Sequence, residues 1–580
     1  MPRARSDAPL SSALSRAETL LRDGRAGDAL KIYRACLAAE PRHPDALYFG
    51  GIAALYTGDA DLAVELLHAA ADVLPDRADV ANNLGAAYRQ AGQDAQAADA
   101  FRQAATLDPN NADAFYNLGD TLRDLQQPDE AIAAYRHVIT ADAGYADAYI
   151  NLGALLAARQ QNDEAAAMFE RAIAIEPGLA LAHNNLGTVR QKSGRTDSAV
   201  DSFRAAIALN PDYADAHYNL ATVLLMREDY RGAAASYRSA IECAPDYIEA
   251  HASLGATLKE LKQYPDAIEA FRHALTVRPD HPAALRGLGD TYVSCGDLQQ
   301  AERTYRKAIA AQEQGSGQNV EIYDCLGDVL QKLGRHEEAA GIYMKVLDMD
   351  PNNATALHFA AALRGETTAA PPPGYIRDLF DDFAPRFEET LIRELGYGVP
   401  ALLRTAFETL QETDDIPVKF ERALDLGCGT GLGGGALKDI IDDLTGVDIS
   451  ANMIAEARAK NLYDSLHAAE IVAYLQDGDP AEVFDLIFAA DVFVYIGDLK
   501  PVFAASHTRL SERGIFAFSV ESLEHGTYAL QPSGRYAHHG GHIEALAAET
   551  GFTVLNRQDI VVRRDRGHPI AGLLFVLIRN

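Results

Sequence analysis

The sequence predicts an α-solenoid of short helical repeats followed by an α/β Rossmann-like domain, and three observations predict it. Small residues recur every 34 positions through the first 364 residues. A proline-rich run then ends the period, and beyond it apolar runs of strand length alternate with helical stretches around a glycine-rich loop. At 580 residues the chain is too long for one hydrophobic core, and an elongated array absorbs much of that length. The expected division is a repeat array over 1–364, a linker over 365–374 and a second domain over 375–580.

The repeat is legible position by position. Gly51, Gly85, Gly119, Gly153, Gly187, Ala221, Gly255, Gly289, Gly327 and Ala361 are separated by 34 residues, except for 38 before Gly327, where Gln312 to Gln318 read as an inserted loop. An alanine follows 12 residues later, as at Ala131 and Ala199, and a large apolar residue four further on, as at Tyr135 and Phe203. A proline closes most units, as at Pro109, Pro177 and Pro245. Small residues let two helices approach closely, the large one fills the remaining gap, and proline stops the second helix. The pattern resembles the tetratricopeptide repeat, with ten units from about residue 10 to 353 and a capping helix over 354–364. The resemblance implies a curved solenoid that binds a protein or an extended peptide on its concave face.

One column of residues suggests how. Asn83, Asn117, Asn151, Asn185 and Asn219 hold the same place in five successive units. An amide both donates and accepts, so a ladder of them can clamp a peptide backbone. The column is similar to the asparagine ladder in the repeats of O-GlcNAc transferase. The alternative is that each amide satisfies a hydrogen bond between helices. His183, His217 and His251 stand where the repeat usually has tryptophan and read as packing residues.

Residues 365–374, GETTAAPPPG, cannot continue a helix, and three prolines in a row favour an extended, semi-rigid spacer. Strand-like runs follow at Ala423 to Leu426, Leu444 to Ile449, Leu486 to Ala489, Gly514 to Val520 and Leu573 to Ile578. The first ends in Asp425-Leu426-Gly427-Cys428-Gly429-Thr430-Gly431 and leads into a helical stretch containing Ala436 to Ile441; the second closes on Asp448. Glycines let backbone approach a ligand at a helix start, and an acid at the end of the next strand can take ribose hydroxyls. Gly429, Gly431 and Gly434 formally satisfy a dinucleotide fingerprint as well, so residue types and spacing leave two cofactors open.

Asp425 before the glycines favours one of them. LDLGCGTG resembles motif I of class I methyltransferases, which implies S-adenosylmethionine as cofactor. It also implies that Asp425 orients the methionine part, with Gly427, Cys428, Gly429 and Gly431 forming the loop. By the same resemblance Asp448 takes the ribose, followed by Ile449 and Met453, while Glu470 and Ile471 hold the adenine. Phe484 to Ile496 then forms the strand that reaches the transferred methyl. The whole chain resembles the bacterial methyltransferases that carry tetratricopeptide repeats, in which a segment like Tyr375 to Tyr397 precedes the glycine loop. That segment is expected to cover the cofactor with Tyr375 and Phe380 facing in, or else to pack its aromatics onto the sheet.

Transfer from a sulfonium is an in-line displacement that depends mainly on positioning. A base is needed only for a protonated acceptor, and the candidates are Asp491, His538, His539 and His542. Asp491 also reads as a strand-end cap, and the histidines as a mobile loop or a metal site. The expected function is methylation of a protein or peptide recruited by the repeats; a small-metabolite acceptor and a non-catalytic scaffold are the alternatives.

Composition narrows the field. A net charge of −31, with neither half basic, argues against nucleic acid as partner, and Arg563, Arg564 and Arg566 read as a solvated patch. Five scattered cysteines without CxxC spacing imply no disulfide framework and no metal site, which suits the cytoplasm. No apolar run approaches the ~20 residues that span a bilayer.

Overall fold

The structure is a computed structural model that describes every residue except 1–6, 314–318, 373, 385–386, 389–390, 392–394, 414, 479–481 and 566. Residues 314–318 of the inserted loop thus lie outside the described residues. The chain divides into two compact units, Met1–Pro279 and Asp280–Asn580.

In the first unit helices of 13 to 16 residues follow one another from Asp7–Arg22 to Tyr264–Val277, each packed on the next. The unit built from Ala112–Asp124 and Pro128–Ala141 shows why. Asn111 caps the first helix by accepting from the Ala114 N–H at 3.0 Å, and Pro128 opens the second at the position where no N–H is needed. Tyr135 is fully buried, and a Cβ at Gly119 would lie 2.8 Å from its ring. Burying such a side chain stabilises the pair by about 1.5–3 kcal/mol, and only glycine leaves room for it. The Tyr135 hydroxyl donates to Asp120 at 2.5 Å, so its buried polar end is satisfied.

The same logic gives a test at Gly187, where an added Cβ would lie 2.6 Å from the Phe203 ring. Gly187→Ala should destabilise the first unit. Overpacking costs about 1–3 kcal/mol and outweighs the ~1 kcal/mol helix-propensity gain. Urea unfolding followed by circular dichroism reads the difference.

The second unit starts with the helices Pro282–Ser294, Leu298–Glu313, Val320–Lys332, His336–Met349 and Ala354–Leu363. Among the described residues nine strands follow: β1 Phe420–Leu426, β2 Ile441–Asp448, β3 Ser465–Ala468, β4 Phe484–Ala489, β5 Leu510–Leu523, β6 Tyr528–Leu530, β7 Tyr536–His539, β8 Phe552–Asp565 and β9 His568–Arg579. Strands β3-β2-β1-β4-β5 run parallel in that order, and β9 pairs antiparallel with β5 and then with β8. Period-two alternation explains the two-sided core. Phe516, Phe518 and Val520 of β5 join one cluster with Leu424, Ile487 and Phe503, while Ile515 and Ala517 join another with Leu403, Phe407 and Leu486.

Glu521 pairs with Gly572 on one edge of β5 and with Ala537 on the other. The β6–β7 hairpin therefore lies on the β4 side of β5, beyond the end of β4. This differs from the mobile loop that His538, His539 and His542 offered as one alternative: residues 536–539 are a strand, and the helix Gly540–Glu549 follows at once. The helical stretch after the glycine loop is also shorter than expected, since Leu432–Leu437 gives way to a 3-10 turn and Ile441 already begins β2.

The proline-rich run is not a free spacer. The Ala369 carbonyl accepts from the N–H groups of Gly497 and Asp498 at 3.1 and 2.8 Å, and the Thr368 and Tyr536 hydroxyls are hydrogen-bonded at 2.6 Å. A Cβ at Gly497 would lie 2.6 Å from the Thr368 carbonyl, so glycine is what admits the run here. The compact units part at Pro279, upstream of the expected hinge, because the final helices pack with the sheet domain. The His358 Nε2 is 2.8 Å from the Gly534 carbonyl, and Gln331 donates to the Pro532 carbonyl at 2.5 Å.

Candidate active site

A cavity of about 650 Å³ opens at the carboxyl ends of β1, β2 and β4, where the strand order reverses between β1 and β4. That is the crevice in which open α/β sheets bind ligands. It is lined by Gly427, Gly429, Asp448, Ile449, Met453, Glu470 and Ile471, and also by Tyr397, Asp491, Tyr495, Arg535 and Arg563.

Asp448 closes β2 with its carboxylate 8% exposed. Its two oxygens accept from the N–H groups of Gly429 and Ser450, both at 2.9 Å, which ties the glycine loop to the end of the strand. Burial raises its pKa above the ordinary carboxylate value, and those two N–H groups oppose the rise. Gly427 and Gly429 adopt positive φ of 67° and 51°, leaving backbone rather than side chain against the cavity. Glu470 caps the helix Ile471–Asp477 by accepting from Ala473 N–H at 2.7 Å.

Asp425, Cys428 and Gly431 are not on the cavity wall. Asp425 is buried behind the loop, where the Tyr463 hydroxyl donates to it at 2.8 Å, and burial pushes its pKa up to about 8. A Cβ at Gly434 would lie 2.6 Å from the Tyr463 ring. The third glycine of the formal dinucleotide fingerprint thus makes room for that ring. Cys428 is buried, and Gly431 precedes the helix Leu432–Leu437.

The helix Tyr375–Phe383 covers the cavity with Ile376, Leu379, Phe380 and Phe383, one helical face. It is held by Asp381, which accepts from the Ser450 hydroxyl at 2.6 Å, and by its backbone carbonyl, which accepts from the Asn452 amide at 3.0 Å. Glu388 accepts from the Thr430 hydroxyl at 2.6 Å and pairs with Lys460. Phe380 faces in, 5.2 Å from the Tyr495 ring centroid. Tyr375 does not: five positions earlier, at the start of the helix, it turns to the last repeat helix and lies 4.4 Å from the His358 ring.

Asp491 sits at φ 60°, a backbone state uncommon for a non-glycine residue. Both its oxygens accept from Arg563 Nη1, at 3.0 and 2.9 Å, and Arg563 also pairs with Glu521. Burial holds the Asp491 carboxyl above the ordinary range, and Arg563 and Arg535 oppose it. Arg563 is 3% exposed, so it is no part of a solvated patch; of its expected companions Arg564 is exposed and Arg566 lies outside the described residues. A register shift in β8 between Val561 and Arg563 turns the guanidinium inward.

The three histidine candidates are not on the cavity wall. His538 is buried in β7 with Nε2 3.0 Å from the Gly497 carbonyl, and burial lowers its pKa to about 4. His539 and His542 flank the start of the helix Gly540–Glu549. The reason is strand pairing: residues 537–539 are fixed in register with Glu521 to Leu523. Among the described residues no group of three His, Cys, Asp or Glu could hold a metal ion.

In the first unit the five ladder asparagines are partly exposed. Four of them donate to the preceding repeat: Asn83 to the Tyr48 hydroxyl at 3.0 Å, Asn117 to Asn82 at 3.2 Å, Asn151 to Tyr116 at 3.2 Å and Asn219 to Asn184 at 3.0 Å. The geometry is that of bonds between repeats, and Asn185 stands beside the buried Asn184. Asn117, Asn151 and Asn219 changed together to Ala should lower the stability of the array, each lost bond costing about 0.5–1.5 kcal/mol. The urea midpoint of the triple variant measures this. His183, His217 and His251 bond the carbonyls of Pro177, Pro211 and Pro245 at 3.3, 2.9 and 2.8 Å, a packing role.

An open sheet in the order β3-β2-β1-β4-β5, with a glycine loop after β1 and an acid closing β2, is the arrangement of nucleotide-binding α/β domains. The family described as methyltransferase domain matches residues 424–516. Tetratricopeptide repeat families match residues 85–122, 116–180, 184–248, 246–314 and 320–353. The chain therefore joins tetratricopeptide repeats to a methyltransferase domain. It is 34% identical over 137 residues to trans-aconitate 2-methyltransferase of Rhizobium etli, a match covering 22% of this chain and 49% of that protein. The chain thus spans about half the length of the curated relative it matches. Among solved structures it is similar to MamA, at 26% identity over 28% of this chain and 94% of that one, with a TM-score of 0.27. It is also similar to PilF of Pseudomonas aeruginosa, at 22% identity over 36% and 94%, with a TM-score of 0.32. Among the described residues no helix is long and apolar enough to cross a membrane.

Proposed function

We propose that the domain over 375–580 binds S-adenosylmethionine and transfers its methyl group, and that the repeats bind a protein or peptide that brings the acceptor. The observation that carries this reading is Asp448, buried at the end of β2 and facing the cavity beside Gly427 and Gly429. The residues present fit the cofactor. A carboxylate already fixed by two N–H groups has lone pairs left for ribose hydroxyls, and the positive-φ glycines leave a cradle that side chains would fill. Ile449, Met453 and Ile471 offer an apolar slot for a base. Asp425 acts from behind the loop, where its carboxyl accepts from the Tyr463 hydroxyl and so fixes the ring on which Gly434 packs.

When bound, the sulfonium supplies a methyl group of high transfer potential. The chain's own part is positioning: Ile376, Leu379, Phe380 and Phe383 exclude water, and Asp491, held by Arg563, fixes part of the wall. The five free cysteines suit a reducing cytoplasm. Calorimetric titration of the full chain tests the reading; heat with S-adenosylmethionine and none with NADH is expected, and the reverse overturns it.

A second reading, a small-molecule acceptor with the repeats used for assembly, is favoured by the ladder asparagines, whose amides are bonded to neighbouring repeats without any peptide. Incubating purified protein with radiolabelled S-adenosylmethionine and cell lysate separates the two by whether the label enters protein or small molecules.

A further inference from the structure

We infer that the last repeat helix, Ala354–Leu363, sets how long the cofactor stays in the cavity: it braces one end of the cover helix through Tyr375, while Asp381 latches the other end beside Asp448. This rests on the methyltransferase reading and adds two positioning residues, neither of which is on the cavity wall.

The cover helix Tyr375–Phe383 has nine residues, and a helix of that length is marginal in water by itself. Its inner face, Ile376, Leu379, Phe380 and Phe383, borders the cavity, so packing beneath it is incomplete. Its place is therefore decided at its ends.

At the first end Tyr375 is buried, with its ring 4.4 Å from that of His358 and edge-on to Phe359 at 6.1 Å. Both partners belong to the last repeat helix, and both are themselves fixed. Phe359 stacks at 5.6 Å on the fully buried Tyr343, and buried His358 bonds the Gly534 carbonyl. Gly374, at φ 88°, turns the chain into the helix in a state that favours glycine.

At the other end the joint is polar. Asp381 accepts from the Ser450 hydroxyl at 2.6 Å, and its carbonyl accepts from the Asn452 amide at 3.0 Å. The Ser450 hydroxyl also accepts from the Met453 N–H at 3.1 Å, and the Ser450 N–H donates to Asp448 at 2.9 Å. One serine thus carries the latch, the cap of the next helix and a bond to the carboxylate assigned to the ribose. A helix too short to stand on one support lifts when either end is freed, and the cofactor beneath it leaves faster.

Release of radiolabelled S-adenosylmethionine from the full chain, followed by rapid filtration after dilution into unlabelled cofactor, tests this. Tyr375→Ala should speed release about threefold to tenfold, the worth of a lost aromatic contact, and Asp381→Ala about tenfold or more, that of a charge-assisted bond. Association should change by less than about twofold, because the wall itself is untouched. Tyr375→Phe keeps the ring and Asp381→Asn keeps an acceptor for Ser450, so both should stay within about threefold of the wild-type release rate. Freeing the second end adds little once the first is free, so the double alanine variant should release only about twofold faster than the faster single one. A double effect equal to the product of the single effects means two independent contacts and overturns the inference. So do wild-type release in either alanine variant, and release as fast in Tyr375→Phe as in Tyr375→Ala. Hydrogen exchange of the ligand-free chain gives a second readout: amides 376–383 should exchange faster in Tyr375→Ala while those of β1 and β4 do not. Unchanged exchange in the helix, or an equal rise in β1 and β4, overturns the brace. A wild-type chain that binds no S-adenosylmethionine overturns the methyltransferase reading itself, whereas the exchange measurement needs no cofactor and judges the brace separately.

Discussion

Arg563→Met should destabilise the 280–580 unit by about 3–5 kcal/mol, the cost of stripping the cation from a buried ionic cluster. Arg563 stands between Asp491 and Glu521 with all three largely buried, so its loss leaves two carboxylates close together in a poorly solvated site. The deficit should depend on pH with a definite sign. Without the guanidinium both carboxyl groups have raised pKa values in the folded state, so folding takes up protons and the variant regains stability as pH falls from about 7 towards 4. The gap between variant and wild type in urea midpoints should therefore narrow on acidification. Adding Asp491→Asn and Glu521→Gln to Arg563→Met should recover much of the loss at neutral pH. A pH-independent gap would mean that the side chain contributes only packing.

Asp448→Ala should weaken S-adenosylmethionine binding by about a hundredfold or more. The substitution removes the carboxylate offered to the ribose, where charge-assisted hydrogen bonds are worth about 1.5–3 kcal/mol each. It also leaves the Gly429 and Ser450 N–H groups without the oxygens that fix the loop. Asp448→Asn should lie between, because its one carbonyl oxygen can keep one of those bonds. Thermal shift gives an independent readout. Saturating ligand at 100 times Kd stabilises by about 2.7 kcal/mol, and that increment should fall to about 0.4 kcal/mol or less for the alanine variant at the same concentration. An unchanged affinity would remove Asp448 from the cofactor site.

Some of this was readable from residues alone. Spacing at Gly119 and Tyr135 identifies a helix pair because one small residue and one large ring have a single close-packed solution. The cover helix was readable in kind, and its inner face, Ile376, Leu379, Phe380 and Phe383, obeys helical period. Tyr375 was not, since the surface it meets, His358, comes from another element. The histidines looked chemical by type and proximity, yet β7 pairs with the far end of β5 through residues 537–539, a non-local contact without a local signature. Arg563 was misread as surface for a similar reason. A charged residue in a polar stretch is normally solvated, and the irregularity in β8 that turns it inward follows from pairing with β9. The asparagine column was visible, but its spacing is equally that of bonds between successive repeats.

The docking of the proline-rich run sets where this protein can be cut and rejoined. Ala369, Ala370, Pro371 and Pro372 line the cavity, and the helix Ala354–Leu363 holds the loop that carries Arg535. A fusion made at the prolines, the place a sequence-based designer would choose, would carry away one wall of the cavity along with the helix that braces another. A junction at Pro279, where the compact units part, should leave those contacts intact. The last helices are inherited with the sheet domain, as one body with it.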